Sequence, residues 1–218
     1  MIKTLKLLKY QFQDRYGRLL LAHWITRELP GVFGERIRRK MLGRYFKRCG
    51  ENLIIHQGFR FRGIHHIIVG DNVQIGVDSF IQASGGLEMG DDVMLGPGVK
   101  IWTVNHRFEN PHIPIYDQGY ERKPVKIEKG VWLGANVFVL PGVTISEGCV
   151  VTAGSLVGIK RYPPYAILSG NPCRVIGTRR LNHILSENDS HSMPSVYHNE
   201  REKGDDSLKT TGAEQNET

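Results

Sequence analysis

The polar segment from 103 to 124 carries the side chains that are best suited to chemistry. It holds His106 and His112 among Asn, Pro and Tyr residues. Histidine has an unperturbed pKa of about 6.5, so its neutral form can accept a proton from an attacking group near neutral pH. The carboxylates that could orient such a base are Glu109, Asp117 and Glu121. The segment therefore indicates acid–base chemistry, provided that a rigid framework positions it.

A repeat with a period of six residues lies on both sides of this segment. Large aliphatic residues recur at Ile127, Leu133, Val139, Ile145, Val151 and Val157. Small or β-branched residues follow four positions later, at Val131, Val137, Val143, Cys149 and Ser155. The same step is present upstream, with one step of eight, at Val69, Ile75, Ile81, Met89, Leu95 and Ile101. From Ile101 to Ile127 the phase breaks, so residues 103–124 are predicted to leave the repeat as an excursion loop.

A period of six is typical of a chain that turns a corner every six residues. Neither an α-helix nor an alternating strand has this period. Gly, Asn and Asp, which tolerate the left-handed backbone angles of such corners, are frequent between the aliphatic positions. Stacked coils bury the aliphatic residues in ladders and pair their backbones in parallel. The sequence thus predicts an all-β fold, a parallel β-helix over residues 51–177.

Charge divides the rest of the chain. Residues 1–50 carry thirteen Lys and Arg against three acids, and residues 186–218 carry eight acids against three bases. Amphipathic patterns predict helices within 1–28 and over 34–47, a short C-terminal helix over 178–186, and a disordered acidic tail over 187–218. The basic helices are interpreted as a cap on the core or, alternatively, as a peripheral contact of residues 1–48 with anionic lipid.

The composition of the chain limits the cellular locations and the binding partners that can be expected. No apolar run is long enough to span a bilayer, and the amino terminus does not have the pattern of a signal peptide. Cys49, Cys149 and Cys173 lack disulfide and metal-ligand spacing and are expected to be reduced thiols. A cytoplasmic protein is predicted, with the inner face of the membrane as a peripheral location. No nucleic-acid partner is expected, because nothing resembles a base-reading motif.

Ordered landmarks within residues 51–177 resemble the hexapeptide-repeat O-acetyltransferases of the maltose and galactoside type. The nearest resemblance is to enzymes that acetylate exopolysaccharide, capsule or O-antigen sugars. The landmarks, in chain order, are Thr103-Val104-Asn105-His106, Val131-Trp132-Leu133-Gly134-Ala135, Leu140-Pro141-Gly142-Val143-Thr144-Ile145, Thr152-Ala153-Gly154-Ser155 and Gly170-Asn171-Pro172-Cys173-Arg174-Val175. The resemblance implies a left-handed β-helix, a homotrimer with active sites between subunits, acetyl-CoA as donor and a sugar hydroxyl as acceptor, without a metal.

The resemblance also assigns roles to residues. His106 corresponds to the catalytic general base, and the backbone N–H of Ala135 corresponds to the oxyanion donor. The positions that would line the CoA channel are Trp132, Gly134, Ala135, Ala153 and Gly154. The cations expected near the CoA phosphates are Lys160, Arg174 and Arg179. The expected acceptor contacts are Ser84, Asn105 and Glu109, where Ala83-Ser84 stands in place of an Asn that is common in the family.

Other functions compete with sugar O-acetylation. The same base would serve N-acetylation of an amino sugar or a nucleotide-linked sugar. A γ-type carbonic anhydrase shares the β-helix and binds zinc through three histidines between subunits, but the histidine spacing here does not match and the CoA landmarks would be unexplained. A non-enzymatic β-helix scaffold is a further alternative, which an intact His106 disfavours.

Overall fold

The computed structural model describes residues 12–158 and 161–179, which form a three-sided parallel β-helix of about six coils. Two helices precede it, α1 (Arg15–Thr26) and α2 (Gly31–Leu42). The strands are β1 (Arg48–Cys49), β2 (Ile54–Ile55), β3 (Arg60–Arg62), β4 (Ile67–Val69), β5 (Gln74–Ile75), β6 (Phe80–Gln82), β7 (Leu87–Met89), β8 (Met94–Leu95), β9 (Lys100–Trp102), β10 (Val104–His106), β11 (Tyr120–Arg122), β12 (Val125–Ile127), β13 (Trp132–Leu133), β14 (Phe138–Val139), β15 (Thr144–Ile145), β16 (Val150–Val151), β17 (Leu156–Val157), β18 (Ala166–Ser169) and β19 (Arg174–Thr178). The prediction of an all-β fold, a parallel β-helix, is confirmed.

Successive strands of each coil belong to three different sheets, which we call faces A, B and C. Face A contains β1, β4, β7, β12 and β15; face B contains β2, β5, β8, β13, β16 and β18; face C contains β3, β6, β9, β14 and β17. The neighbours within a face are parallel and in register, as Ile81, Ile101 and Val139 on face C show. Because the aliphatic residues of the repeat coincide in register, they stack into buried ladders, and this stacking explains the period of six.

Residues with left-handed backbone angles form the corners, as the composition predicts. The corner between faces A and B carries Asn52, Asn72, Asp92, Gly130, Gly148 and Tyr165. The corner between faces B and C, the B–C corner, carries Gly58, Asp78, Gly98, Asn136, Gly154 and Gly170. At the first of these corners the Asn72 amide donates to Asp92 and accepts from Asn52, both at 3.0 Å. The corner residues therefore supply the backbone geometry and also bond one coil to the next.

The corner between faces C and A, the C–A corner, differs from the other two because it takes up extra residues. On face C, Arg60 pairs with Phe80 and Phe80 with Lys100, at spacings of 20, whereas Phe138 pairs with Leu156 at a spacing of 18. The step of eight before Met89 lies at this corner, and the excursion leaves from it as well, between β9 and β12.

Helices α1 and α2 cap the first coils through buried polar contacts. The Arg38 guanidinium, which is 1% exposed, donates to the carbonyls of Thr26, Leu29 and Ile55 at 2.9, 2.6 and 2.7 Å. Glu35 on α2 lies 2.9 Å from the imidazole of His56 on the β-helix. The second helix begins at Gly31 and ends at Leu42, earlier than the predicted 34–47. None of the helices in the described residues is sufficiently long and apolar for a membrane crossing.

The ends of the β-helix differ from the sequence prediction. The first coil starts at β1, so it includes two residues of the basic segment 1–50, before the predicted β-helix of residues 51–177. Thr178, the expected first residue of a C-terminal helix, is instead the last residue of β19, which pairs antiparallel with β18. The physical reason is that β18 would otherwise leave an open edge of unpaired N–H and C=O groups. The remainder of that helix, the tail 187–218 and residues 1–11 lie outside the described residues.

Candidate active site

The excursion from 103 to 124 is a hairpin arm rather than an irregular loop. Strands β10 and β11 pair antiparallel, with Val104 opposite Arg122 and His106 opposite Tyr120. Further out, the Gln118 amide donates to the carbonyls of Asn110 and Ile113 at 2.9 and 2.7 Å. The arm therefore has its own hydrogen bonds, which hold His106 near its base.

Thr103 fixes the point at which the arm leaves the β-helix. It is fully buried, and its hydroxyl donates to the Gln82 carbonyl at 2.8 Å and accepts from the Gly85 N–H at 2.7 Å. Its carbonyl also accepts from the Lys123 N–H at 3.0 Å, which ties the two ends of the arm together. A Cβ at Gly85 would collide with that carbonyl, so only glycine fits there. The sequence analysis included Thr103 in a landmark but gave it no role, because its buried hydrogen bonds depend on the neighbouring coil.

His106 is exposed and contacts an aromatic ring. The centroids of the His106 and Tyr120 rings are 4.4 Å apart, with 43° between their planes. The Arg122 guanidinium lies 5.9 Å from the centre of the same Tyr120 ring. Tyr120 packs beside the imidazole of His106, and the nitrogens of that imidazole remain available to an acceptor substrate. The sequence did not predict that Tyr120 lies beside His106, because the antiparallel pairing that brings them together leaves no repeat pattern.

Two of the three carboxylates that were candidates to orient His106 make other contacts, and Asp117 makes no side-chain contact with His106 among the described residues. Glu121 pairs with Lys123 at 2.9 Å, and Glu109 accepts from the backbone N–H of Phe108 at 3.1 Å. In the described residues Tyr120 occupies the position beside the imidazole that a carboxylate was expected to take. Glu109 is exposed on the arm, so its assignment as an acceptor contact stays a prediction.

Ser84, Asn105 and His106 belong to the same corner of the β-helix. Ser84 lies in the coil before the arm, next to the Gly85 that Thr103 holds, and its hydroxyl donates to the Gln82 side chain at 2.8 Å. Asn105 and His106 are exposed on the first strand of the arm. The structure thus brings the predicted base and two predicted acceptor contacts to the C–A corner.

The predicted CoA-channel residues gather at the B–C corner, in two consecutive coils. Trp132 points outward from face B with 47% of its side chain exposed. Gly134 follows it and stacks on Ala153, where an added Cβ would lie 2.7 Å from the Ala153 nitrogen. The exposed small residues Ala153 and Gly154 lie in the coil after the outward indole, and we call this stretch of the B–C corner the trough. Its lack of large side chains suits a thin, extended ligand.

Ala135 carries a backbone donor with no protein acceptor. Its carbonyl accepts from the Gly154 N–H at 2.8 Å, whereas no acceptor in the described residues takes its own N–H. In the preceding coil the equivalent position is Pro97, which has no N–H, since Leu95 pairs with Leu133. A donor at this position is therefore not needed by the fold, and it is available to a ligand.

The predicted phosphate ligands are in different situations. Arg174 is exposed on β19. Arg179 already donates from one guanidinium nitrogen to the Gly148 carbonyl at 2.8 Å, which leaves its other donors for a ligand. Lys160 lies outside the described residues. The B–C corner and the arm, which leaves from the C–A corner, are at opposite ends of face C, and no hydrogen bond or ring contact between described residues joins His106 to Ala135.

Two family models match the repeat. The one described as bacterial transferase hexapeptide (six repeats) matches residues 124–158, and the one described as hexapeptide repeat of succinyl-transferase matches residues 66–101. The first therefore begins where the arm ends, and the second ends at Ile101, just before the arm begins.

Curated relatives are named as acetyltransferases. One from Staphylococcus aureus is 34% identical over 149 residues, which are 68% of this chain and 72% of that protein. One from Mycobacterium tuberculosis is 36% identical over 113 residues, 52% of this chain. That second match spans 37% of the mycobacterial protein's length.

Solved structures with the same fold include sugar acetyltransferases. A maltose O-acetyltransferase from Clostridium difficile has a TM-score of 0.65 and 29% identity, covering 78% of this chain and 89% of that one. A galactoside acetyltransferase in complex with coenzyme A has a TM-score of 0.66 and 26% identity, with coverages of 78% and 82%. A hexapeptide-repeat acetyltransferase from Vibrio cholerae, complexed with acetyl-CoA, has a TM-score of 0.64 and 26% identity, with coverages of 80% and 88%.

Proposed function

The chain belongs to the hexapeptide-repeat acetyltransferase family, and on that premise we propose that it transfers the acetyl group of acetyl-CoA to a sugar hydroxyl. The observation that carries the proposal is the pair of groups that the fold leaves available, the His106 imidazole on the arm and the Ala135 N–H at the B–C corner. The imidazole can accept the proton of the attacking hydroxyl, and the N–H can donate a hydrogen bond to the oxyanion that forms. Because face C separates the two corners, we expect the two groups to act on one substrate only where two subunits meet.

The reaction follows from these two groups. A neutral nitrogen of His106 accepts the proton of the acceptor hydroxyl as its oxygen attacks the thioester carbonyl carbon. The carbonyl oxygen becomes an oxyanion, to which the Ala135 N–H donates a hydrogen bond. When this intermediate collapses, the C–S bond breaks and the departing sulfur takes the proton from the imidazolium. The products are the acetyl ester of the sugar and free CoA, and the histidine is again neutral.

The residues at the B–C corner fit the CoA arm. Ala153 and Gly154 place no large side chain in the trough beside Trp132, so the pantetheine could lie close to the backbone, and the buried Gly134 lets the two coils stack closely. At the far end, the cations Arg174, Arg179 and Lys160 are assigned to the phosphates, where a guanidinium can bond two oxygens at once. Solved relatives with coenzyme A or acetyl-CoA bound support coenzyme A as the ligand, and the residues assigned to it here are part of the proposal.

A homotrimer in the cytoplasm is part of the proposal. Each active site would combine the arm of one subunit with the trough of its neighbour, as closed symmetry allows. The three cysteines are free thiols, two of them buried, which is compatible with a reducing compartment. The acceptor is proposed to be a sugar of a surface polysaccharide, a role supported by the landmarks of the sequence and by the maltose and galactoside enzymes among the structural relatives. Ser84, Asn105 and Glu109 would contact it.

Acceptor screening with two matched variants tests the proposal. CoA release is measured for the full-length protein with a panel of sugars and amino sugars, and NMR locates the acetyl group. His106→Ala should lower kcat about 10²- to 10⁴-fold, the contribution expected of a general base. His112→Ala, another exposed histidine of the same arm, should retain activity near that of the wild type.

Two outcomes would contradict the proposal. Equal turnover by the wild type and His106→Ala would exclude His106 as the general base. Acetylation of amino nitrogens alone would replace the hydroxyl acceptor with the amino-sugar alternative.

A further inference from the structure

The two N-terminal helices expose apolar side chains on the side that faces away from the β-helix. Trp24 and Phe33 are 75% and 66% exposed, and Ile25 and Val32 are also more than half exposed. These four residues end α1 and begin α2, so they flank the short turn between the helices. Tyr16 and Leu20, which precede Trp24 at intervals of four, extend the exposed stripe along α1. A patch of this kind on a soluble domain usually marks a surface that contacts a partner.

Cations continue the same face of α2. Val32, Arg36 and Lys40 follow one another at intervals of four, so they lie along one stripe of the helix. Arg36 and Lys40, with Arg39 and Arg44, line a surface cavity of about 560 Å³ that is completed by Gly43, Cys49 and Gly50. None of these lining residues is acidic. The face thus begins with apolar side chains at the turn and continues into a pocket whose charged lining residues are all basic, which we call the basic pocket.

The turn between the helices is held rigidly in place. The buried Arg38 donates to the Thr26 carbonyl at the end of α1, to the Leu29 carbonyl within the turn, and to the Ile55 carbonyl in the first coils. His23 bonds the Phe59 carbonyl at 2.7 Å, which fixes the end of α1 to the β-helix. Trp24 and Phe33 therefore project from an anchored support and are not exposed by fraying.

We propose that this face, defined by Trp24, Ile25, Val32, Phe33 and the basic pocket, docks on the surface of an anionic phospholipid bilayer. The aromatic and aliphatic side chains enter the interfacial region, where indole rings are favoured, and the cations meet the lipid phosphates. Charge complementarity selects this occupant, because a second copy of the same face would place like cations opposite each other. The proposal is independent of the acetyl-transfer reaction and needs no membrane-spanning helix.

Sedimentation with vesicles tests the proposal. Full-length protein is mixed at 0.1 M salt with vesicles of phosphatidylcholine alone or with a quarter of phosphatidylglycerol, and the bound fraction is measured. The wild type should bind only the anionic vesicles. Arg36→Gln/Lys40→Gln should weaken binding about fivefold for each charge removed. Trp24→Ala/Phe33→Ala should weaken it about tenfold, because the inserted apolar area is lost.

The matched control is Lys126→Gln/Lys129→Gln, which removes the same charge from face A and its corner with face B, in a later coil than those that contact the helices. It should stay within twofold of the wild type, and all variants should keep their melting temperature. Equal binding to neutral and anionic vesicles would overturn the proposal, as would an equal loss in the control. Unchanged binding of Trp24→Ala/Phe33→Ala would do the same. So would a vesicle-free oligomer that this variant dissociates, because the face would then bind a second copy.

Discussion

At the scale of single residues, Ala135 offers a sharp test because the chain contains its own template for the substitution. Pro97 occupies the equivalent position one coil earlier, between the same ladder and corner. Ala135→Pro should therefore fit the backbone while it removes the N–H. If that N–H stabilises the oxyanion, kcat should fall about 10²- to 10³-fold. Steady-state kinetics and a thermal melt measure the two effects separately.

The matched control at this position is Ala135→Gly, which removes only the methyl group. It keeps the donor and should keep most of the activity. A proline variant that melts normally and turns over like the glycine variant would show that the oxyanion donor lies elsewhere.

Residue-level prediction from the sequence succeeded where a landmark was local and failed where tertiary pairing decided. His106 could be singled out from its place in the excursion. Its neighbour Tyr120 could not, since fourteen residues separate the two and only the antiparallel register of β10 and β11 joins them. The carboxylates Glu109 and Glu121 were plausible by type, but their partners are Phe108 and Lys123.

At the scale of elements, the attachment of α1 to the β-helix should depend on pH. Burial lowers the pKa of His23, and the cations Arg27 and Arg60 lower it further, against the raising effect of its bond to the Phe59 carbonyl. The folded protein therefore binds a proton at His23 less readily than the unfolded chain does. The stability that this produces is fully present above the ordinary value of 6.5 and is lost as the pH falls through and below it.

The measurement is the free energy of unfolding by denaturant at pH 7.5 and pH 5.5. The wild type should lose more stability on acidification than His23→Gln, whose amide can still donate to the Phe59 carbonyl without titrating. His112→Gln, a substitution of an exposed histidine on the arm, should behave like the wild type. An identical pH slope for His23→Gln and the wild type would exclude His23 as the sensor.

The elements that the sequence predicted are those with a repeating cause. The period of six follows from burial at one position per face and from corner residues with left-handed angles, both of which are local. Strand β19 was not predicted as a strand, and its last residue, Thr178, was assigned to a helix, because the cause of this strand is not local. It covers the open edge of β18, and the residues themselves do not show that an edge is there.

At the scale of the whole molecule, one chain contains both parts of the proposed catalytic site but holds them at different corners of the β-helix. The arm leaves from the C–A corner, and the trough lies at the B–C corner. Sequence could predict both sets of residues but could not show that face C separates them, since that requires the register of the coils. In the proposed homotrimer, closed cyclic symmetry would provide the missing contact, because the arm of each subunit would meet the trough of the next.

Mixed trimers test this arrangement. His106→Ala and Ala135→Pro proteins should each be nearly inactive alone. After joint denaturation and refolding at a ratio of one to one, a site is intact when an intact arm meets an intact trough. Random assembly then restores about one quarter of the wild-type activity per site. If both groups came from the same subunit, every site would lack one of them, and mixing would restore nothing. Refolded wild type and separately refolded variants set the upper and lower limits of the measurement. Subunit exchange is verified by a tag on one of the two proteins, so that absence of recovery in exchanged trimers would contradict a shared site.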